Sequence, residues 1–318
     1  MRRVTGVLMV VALAALGTAG FATAEEPEGP APTTVQAVDA AVEGSAVAVA
    51  ADIAFGGQAP VVLGDDPAGD GPVDATAADA FGVDLTEIRA YRSDPTDPVV
   101  TLEWQTTNLE RLPPPEIIRY YWQFVVDGAV ISAQAKTTDF VSAANAGDGQ
   151  PGTVASNLQS YGSAGVPGFR IRGNCELIGG TLNNCGHVAW VDGEFDFDND
   201  VVRFFLPLDL EALPKLRPGA KITPDANGAY AAFQAAADNA NTRDTVTQWE
   251  DYVVPDATAT ARLLDAAGAV VASGALSQGD DGRWSGGLTA PAPGDYRLEV
   301  RACFADNCDI SVTDLVVS

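Results

Sequence analysis

The chain has few of the residues on which most catalytic sites depend. Its 318 residues include one histidine, His187, four cysteines and two methionines. A nucleophilic hydrolase needs a base, most often a histidine, to activate its serine or cysteine. No Gly-x-Ser-x-Gly turn is present, and no glycine-rich loop leads into a Lys-Ser or Lys-Thr pair. We therefore expect a protein without enzymatic activity. A carboxylate pair acting as a glycosidase stays open as an alternative.

Basic residues are also scarce. The chain has 18 Lys and Arg against 43 Asp and Glu, which gives a formal net charge of −25. An electrostatic field of this sign repels phosphate backbones, so nucleic acid is excluded as a partner. Cations, neutral glycans and basic surfaces remain as candidate partners, and the charge also favours solubility.

Long apolar runs are confined to the first residues. Two N-terminal arginines precede the apolar run Val7–Leu16, and Ala22-Thr23-Ala24 follows as a small-x-small cleavage site. This pattern predicts a signal peptide at residues 1–24. No later stretch is long and apolar enough to form a transmembrane helix. The sequence thus predicts a secreted chain, extracellular or associated with the cell surface.

The four cysteines form two close pairs, Cys175 with Cys185 and Cys303 with Cys308. An exported chain meets an oxidising environment, so this spacing favours two local disulfides. The other two connectivities, which would join distant segments, remain as alternatives. Zinc binding is disfavoured because the chain has one histidine and no Cys-x-x-Cys motif.

Composition divides the rest of the chain into three parts. Residues 25–61 are rich in Ala, Pro and acids and have almost no aromatic residues, which predicts a disordered linker, with a short strand near Ala46–Ala50 as an alternative within it. Residues 62–254 alternate apolar and polar side chains, as strands do, and Asp127-Gly128 is typical of a tight hairpin turn. Ala229–Ala240 is the one helical candidate. After Pro255, five short strand patterns predict a small second β-domain at residues 255–318, with one larger sandwich as the alternative.

Two acidic segments are candidate cation sites. Asp65, Asp66 and Asp70 lie on a Gly/Pro-rich loop, and Asp84 follows it. Calcium takes six to eight oxygen ligands, and glycines let a loop turn tightly enough to converge them. A solvated acidic loop is the alternative. The second segment, Asp192–Asp200, carries acids at every even position, which predicts a solvated strand face opposite Phe195 and Phe197, with a cation site as the alternative.

The first loop also carries a family resemblance. Its motif, Asp66-Pro67-x-Gly69-Asp70 ahead of Asp84-Leu85, resembles the opening of DOMON-like and family 9-type carbohydrate-binding β-sandwiches. These are accessory domains of secreted bacterial enzymes. The resemblance implies a jelly-roll-like sandwich at residues 62–254 that often binds calcium near this loop, sometimes binds sugars and has no catalysis of its own.

Residues 255–318 resemble the Ig-like or filamin-like modules of bacterial surface proteins. The similarity lies in Leu263-Leu264-Asp265, Trp284-Ser285 and Pro293-Gly294-Asp295-Tyr296. It implies a spacer or adhesion module. The expected fold is therefore all-β, with a large jelly-roll-like β-sandwich followed by a small Ig-like β-sandwich.

These observations favour a secreted, non-catalytic β-sandwich module, stabilised by calcium, that binds a glycan or a cell-surface protein. Its expected calcium ligands are Asp65, Asp66, Asp70 and Asp84. A structural or adhesion spacer without a small ligand is the second reading, and an acid-pair glycosidase is the third.

Overall fold

The structure, a computed structural model, describes residues 30–68, 84–107, 109, 117–136, 168–173, 176–178, 181–183, 186–211, 213, 215–234, 242–246 and 248–318. Within these ranges the chain is all-β, with antiparallel strands and no helix. The strands are β1 (Thr34–Glu43), β2 (Ala46–Ala54), β3 (Val61–Asp65), β4 (Leu85–Tyr91), β5 (Val99–Thr106), β6 (Ile117–Val126), β7 (Ala129–Lys136), β8 (Gly168–Gly173), β9 (Glu176–Ile178), β10 (Thr181–Asn183), β11 (Gly186–Val191), β12 (Gly193–Asp196), β13 (Val201–Pro207), β14 (Lys221–Gln234), β15 (Thr242–Val246), β16 (Tyr252–Val253), β17 (Ala257–Leu264), β18 (Val270–Gln278), β19 (Trp284–Thr289), β20 (Gly294–Phe304) and β21 (Asn307–Val317).

Two packed sheets form the larger part of the molecule. The front sheet has the strand order β12-β13-β5-β4-β3, and the back sheet has the order β11-β8-β7-β6-β14-β15, with β16 also paired to β14. Their inner faces share one hydrophobic core. Alternation places Leu102 and Trp104 of β5 on this inner face, where both are essentially fully buried, as the sequence predicts. Trp104 contacts Trp122 of the back sheet with ring centroids 5.6 Å apart.

The predicted hairpin turn joins β6 to β7. Asp127 and Gly128 have φ angles of 48° and 82°, which suit an Asp-Gly pair in a two-residue hairpin. The prediction of a helix at Ala229–Ala240 is wrong for Ala229–Gln234, which continues β14 and pairs with both β6 and β15. Alanine favours helix only weakly, and pairing on both sides of a strand overrides that preference. Residues 235–240 lie outside the described part of the chain.

A third sheet combines the two ends of the described chain. This terminal sheet has the order β1-β2-β19-β18-β17-β20-β21. The five strands predicted after Pro255 are present as β17 to β21. Residues 34–54, however, form the β1–β2 hairpin, so the prediction of a disordered linker is wrong for this stretch, and the short strand considered near Ala46–Ala50 is part of β2. Val47 and Val49 of β2 are buried in the same core as Trp284 and Leu288 of β19. A hairpin alone is marginal in water, and burial against β19 offsets its ordering entropy.

Arg92 connects the sandwich to the terminal sheet. It follows β4 and is only 3% exposed. Its Nη1 donates to the carbonyl oxygen of Pro255 at 2.8 Å, and its Nη2 donates to the carbonyl oxygens of Pro95 and Asp97 at 2.7 and 2.9 Å. Its guanidinium carbon lies 5.4 Å from the ring centroid of Phe304, at the end of β20. One buried cation thus binds both parts of the molecule.

Gln58 adds a second connection at this junction. Its Oε1 accepts hydrogen bonds from the backbone N–H of Arg92 at 3.0 Å and from the hydroxyl of Tyr252 at 2.8 Å. Burial raises the pKa of Tyr252, so its hydroxyl remains a donor at physiological pH. Burial also lowers the pKa of Arg92, and nearby Asp256 opposes this change. The guanidinium still carries its charge, because arginine does not lose its proton in proteins.

Candidate functional site

A row of charged side chains crosses the outer face of the front sheet. The strand register places Glu194, Arg203, Glu103 and Arg89 opposite one another on β12, β13, β5 and β4. We call this row the charge ladder. Its members alternate in sign, which is the favourable order for cross-strand neighbours. The register thus fixes four charged groups side by side on one surface.

Glu103 lies at the centre of the charge ladder. Its Oε1 accepts a hydrogen bond from Arg89 Nη1 at 2.8 Å, and its Oε2 accepts one from Arg203 Nε at 2.9 Å. Its side chain is 4% exposed, while those of Arg89 and Arg203 are 26% and 24% exposed. The arginines therefore cover the carboxylate and keep part of their own surface in solvent. Arg89 also pairs with Glu87.

The arginines remain fully charged in this setting. Burial lowers the pKa of Arg203, but its hydrogen bonds to Glu194 and Glu103 raise it further, so the net pKa lies above that of a free arginine. The hydrogen bond to Glu87 likewise raises the pKa of Arg89. Both guanidinium groups present planar, permanently charged donors on the sheet surface.

Two aromatic side chains lie beside the charge ladder. Phe205 of β13 and Tyr91 of β4 both pair with Thr101 of β5, so all three occupy the next row of the outer face. Both rings are half-buried, whereas Thr101 between them is 5% exposed. The Tyr91 hydroxyl lies 3.4 Å from Glu103 Oε2. Burial, and secondarily Glu103, raises the pKa of Tyr91, which keeps the hydroxyl protonated.

Two of the five acids at even positions lie on this outer face as predicted. Glu194 and Asp196 point outward from β12, while Phe195 and Phe197 pack against the core, as the alternation predicts. Both carboxylates accept hydrogen bonds from Arg203 Nη1, at 3.0 and 3.2 Å. Hydrogen bonds from Asn199, and then from Arg203, lower the pKa of Asp196. Glu194 and Asp196 are therefore ion-pair partners of Arg203 in the charge ladder.

The predicted calcium ligands occupy different places. Asp65 is exposed and pairs across the front sheet with Glu87, on the outer face. Asp66 lies near the start of β4, where its N–H donates to the carbonyl oxygen of Thr86 at 3.0 Å. Asp84 is 3% exposed, and its Oδ2 accepts a hydrogen bond from Thr107 at 3.1 Å. Asp70 lies outside the described residues.

Asp244 joins this end of the sandwich from β15. It is 7% exposed, and its Oδ2 accepts a hydrogen bond from the backbone N–H of Leu85, next to Asp84, at 2.7 Å. No local motif marks Asp244, because it is 159 residues away from Leu85 in sequence. Among the residues with described positions, no group of three or more His, Cys, Asp or Glu side chains is placed to hold a metal ion.

One of the two predicted disulfides is present. Cys303 and Cys308 are bonded across the β20–β21 hairpin, where they face each other in register. Cys175 and Cys185 lie outside the described residues. The part of the chain that the structure describes also contains no helix long and apolar enough to cross a membrane.

The sequence pattern indicates that the residues of the charge ladder face solvent, although no short motif identifies the ladder itself. Arg89, Glu103 and Arg203 each lie between two apolar residues on a strand pattern, as in Leu102-Glu103-Trp104. A charged residue at such a position faces away from the core. What the sequence does not reveal is that the three positions are neighbours, because this depends on the pairing of β4, β5 and β13.

Comparison of the chain with protein-family models, with curated proteins and with solved structures finds no match. The DOMON-like, family 9-type and Ig-like resemblances therefore stay predictions that depend on short motifs.

Proposed function

We propose that this chain is a secreted, non-catalytic binding module that holds a neutral glycan on the outer face of its front sheet. The observation that carries the proposal is the row formed by Tyr91, Thr101 and Phe205, directly beside the charge ladder. Both half-buried rings keep part of their apolar area at the surface of the sheet, and aromatic side chains placed together on a surface can bind the apolar face of a ligand.

The spacing of the two rings suits a sugar chain. Tyr91 and Phe205 are separated by one intervening strand, so their backbones lie about 10 Å apart, twice the distance between neighbouring strands. This is comparable with the length of a disaccharide. Each ring can stack against the C–H face of one sugar, because the face of an aromatic ring is apolar and electron-rich.

The charge ladder supplies the polar half of the site. An arginine has five N–H donors in a fixed plane, and the carboxylate of Glu194, whose side chain is 53% exposed, has two acceptor oxygens, so both groups match vicinal hydroxyl groups. Their mutual ion pairs hold these groups in place before a ligand arrives, which lowers the ordering cost of binding. A neutral glycan fits better than an anionic one, because the chain carries a net charge of −25.

Replacing Tyr91 or Phe205 with alanine is expected to weaken glycan binding about tenfold, since a lost stacking contact contributes roughly 1.4 kcal/mol. Calorimetric titration with neutral oligosaccharides of glucose, xylose and mannose, chosen from an array, measures this loss. Phe55→Ala is the matched control, because Phe55 is a half-buried aromatic residue that contacts Trp284 in the terminal sheet. The proposal fails if no neutral glycan binds, or if the control loses as much affinity as the two site variants.

Calcium is the second part of the proposal. Asp84 and Asp244 are both buried, and Asp244 accepts a hydrogen bond from the backbone N–H of Leu85, the residue that follows Asp84. Burying carboxylates at one end of the sandwich costs free energy, and a hard cation would offset that cost while it takes carboxylate and backbone oxygens as ligands. Asp66 lies close to the same strand end.

If calcium binds here, it should raise the unfolding temperature with its concentration, because it binds only the folded chain. At a free calcium concentration about 100 times the dissociation constant, the gain is about 2.7 kcal/mol. Thermal unfolding followed by circular dichroism measures it. Asp84→Asn and Asp244→Asn should abolish the gain, whereas Asp65→Asn should keep it, because Asp65 faces outward with Glu87. An unchanged melting temperature at millimolar calcium would remove the metal from the proposal.

The absence of catalysis is also a proposal, and the charge ladder supports it. A glycosidase general acid needs a raised pKa, whereas the pKa of Asp196 is lowered by Asn199 and Arg203. Hydrolysis of any glycan in the array, lost on replacing Glu103 or Asp196, would favour the acid-pair glycosidase instead.

A further inference from the structure

The two outermost strands of the terminal sheet lie beside each other, so the edge of β21 is covered. The N–H groups of Thr33, just before β1, and of Val35 donate to Asn307 Oδ1 and Asp309 Oδ2 of β21 at 2.9 and 2.8 Å. What this half of the molecule presents to solvent is instead a face. We call the outward-facing side chains of β17, β18, β20 and β21, which alternate with the buried ones, the outer terminal face.

Exposed apolar side chains are concentrated on the outer terminal face. Ile310, Val312 and Val316 alternate along β21 and are 49%, 53% and 69% exposed. Val270 of β18, which pairs with Leu264 of β17, is 52% exposed. These four are half of the eight large apolar side chains that are exposed in the part of the chain that the structure describes. Apolar surface rimmed by charged residues is typical of protein interfaces.

The charges on this face balance one another. Its charged members are three arginines and three acids, namely Arg262, Arg297, Arg301, Asp295, Glu299 and Asp314. The face therefore has no net charge, whereas the whole chain has a formal net charge of −25. Net charge of one sign keeps copies of a chain apart. A neutral face is where a second copy can approach with the least repulsion.

We propose that the outer terminal face is a dimer interface, on which a second copy of the chain packs face to face. An isologous dimer places one surface patch against itself about a two-fold axis. Here the axis lies between the two faces, perpendicular to the strands, and crosses β20 midway between Arg297 and Glu299. The β20 strands of the two copies then run antiparallel, one above the other, at the spacing of about 10 Å that packed sheets have.

The order of charges along β20 is complementary to itself when it is reversed. Asp295, Arg297, Glu299 and Arg301 occupy alternate positions, so their charges alternate in sign along the face. The two-fold axis reverses this order in the second copy. Arg297 of each copy then faces Glu299 of the other, and Asp295 faces Arg301. The interface thus contains four pairs of opposite charge, which favours this register over a register that brings like charges together.

The same axis brings apolar side chains of β21 together. Thr313 pairs with Leu298, the residue between Arg297 and Glu299, so the axis crosses β21 at Thr313. Ile310 of each copy therefore meets Val316 of the other. Four strands about 4.8 Å apart and nine residues about 3.3 Å apart cover roughly 500 Å² per copy, or about 1,000 Å² in the dimer. This is the lower limit for a specific interface, so we expect a dissociation constant in the micromolar range.

Sedimentation equilibrium of the purified chain at physiological salt tests the dimer. The wild-type chain should dimerise as its concentration rises. Asp295→Arg should raise the dissociation constant at least about tenfold, because it sets two arginines against each other twice in every dimer. Arg301→Asp should do the same by setting two acids against each other. The double variant Asp295→Arg/Arg301→Asp should return to within about threefold of the wild type, because opposite charges face each other again.

Glu43→Arg is the matched control, since Glu43 is exposed on the β1–β2 hairpin, outside this face, and the change in charge equals that of Asp295→Arg. It should dimerise like the wild type. Far-UV circular dichroism with a melting curve verifies that each variant is folded. A wild-type chain that stays monomeric up to about 1 mM overturns the proposal. So does a double variant that fails to recover, or a control that weakens the dimer as much as the single variants. A monomeric chain that binds a different protein through this face would likewise overturn the dimer.

Discussion

Replacing Arg92 with methionine is expected to lower the free energy of unfolding by about 3–5 kcal/mol, the largest effect we expect from a single substitution outside the core. Methionine can fill the space but donates no hydrogen bond. The carbonyl oxygens of Pro255, Pro95 and Asp97 would each lose their bond to the guanidinium group. The contact with the ring of Phe304 would also be lost.

The loss should also separate the unfolding of the two parts of the molecule. Arg92 belongs to the sandwich. Pro255 precedes β17, the first strand of the terminal sheet after the sandwich, and Phe304 is the last residue of β20. With Arg92 in place, we expect one cooperative transition in urea. With methionine, tryptophan fluorescence and far-UV circular dichroism should report two transitions, because the coupling between the parts weakens.

Two variants calibrate this result. Arg92→Lys keeps the charge but loses the planar fork, so its effect should be intermediate. Arg217→Met removes an exposed arginine and should change the unfolding free energy by no more than about 0.5 kcal/mol. If Arg92→Met is no more harmful than Arg217→Met, the junction does not depend on this residue.

Glu103→Gln should give the second large effect, a loss of about 2 kcal/mol. Removing one partner of a buried ion pair costs about 3–5 kcal/mol when the remaining charge is buried and has no other partner. Here Arg89 keeps Glu87, and Arg203 keeps Glu194 and Asp196, so the cost is smaller. Arg89 and Arg203 are 26% and 24% exposed, so solvent screens part of that cost. Glutamine has nearly the same shape, so the measured change reports charge rather than packing.

The same ladder provides the control for this prediction. Glu194 pairs with the same Arg203, but its side chain is 53% exposed. Glu194→Gln should therefore cost about 0.5 kcal/mol or less in urea unfolding. Equal effects from the two substitutions would show that the central position of Glu103 is unimportant.

The sequence predicts the local features of this fold well. Alternation in β5 and β6 depends on neighbouring residues, and the Asp127-Gly128 turn depends on two backbone angles, so both are visible in a short window. The acids of β12 are placed on the correct face for the same reason. The all-β class follows from such windows taken together.

Features that depend on pairing between distant segments cannot be predicted from a short sequence window. The composition of the Ala-rich stretch Thr34–Ala54 suggests that it cannot fold by itself. Its hairpin is stabilised by β19, which lies more than 200 residues later in the sequence and is therefore not visible in the same window. Asp244 meets Leu85 across 159 residues. Arg92 resembles any surface arginine in sequence, and only the assembled junction buries it. The composition of a segment indicates how much apolar surface that segment carries. Whether the segment folds also depends on the apolar surface of the distant segments that pack against it.

The union of both chain ends in one sheet has a consequence for how the protein is made. The β1–β2 hairpin emerges from the ribosome long before β19 is synthesised, so the pairing of β2 with β19 can form only late. Late closure of this kind slows folding, since contacts between remote residues form last.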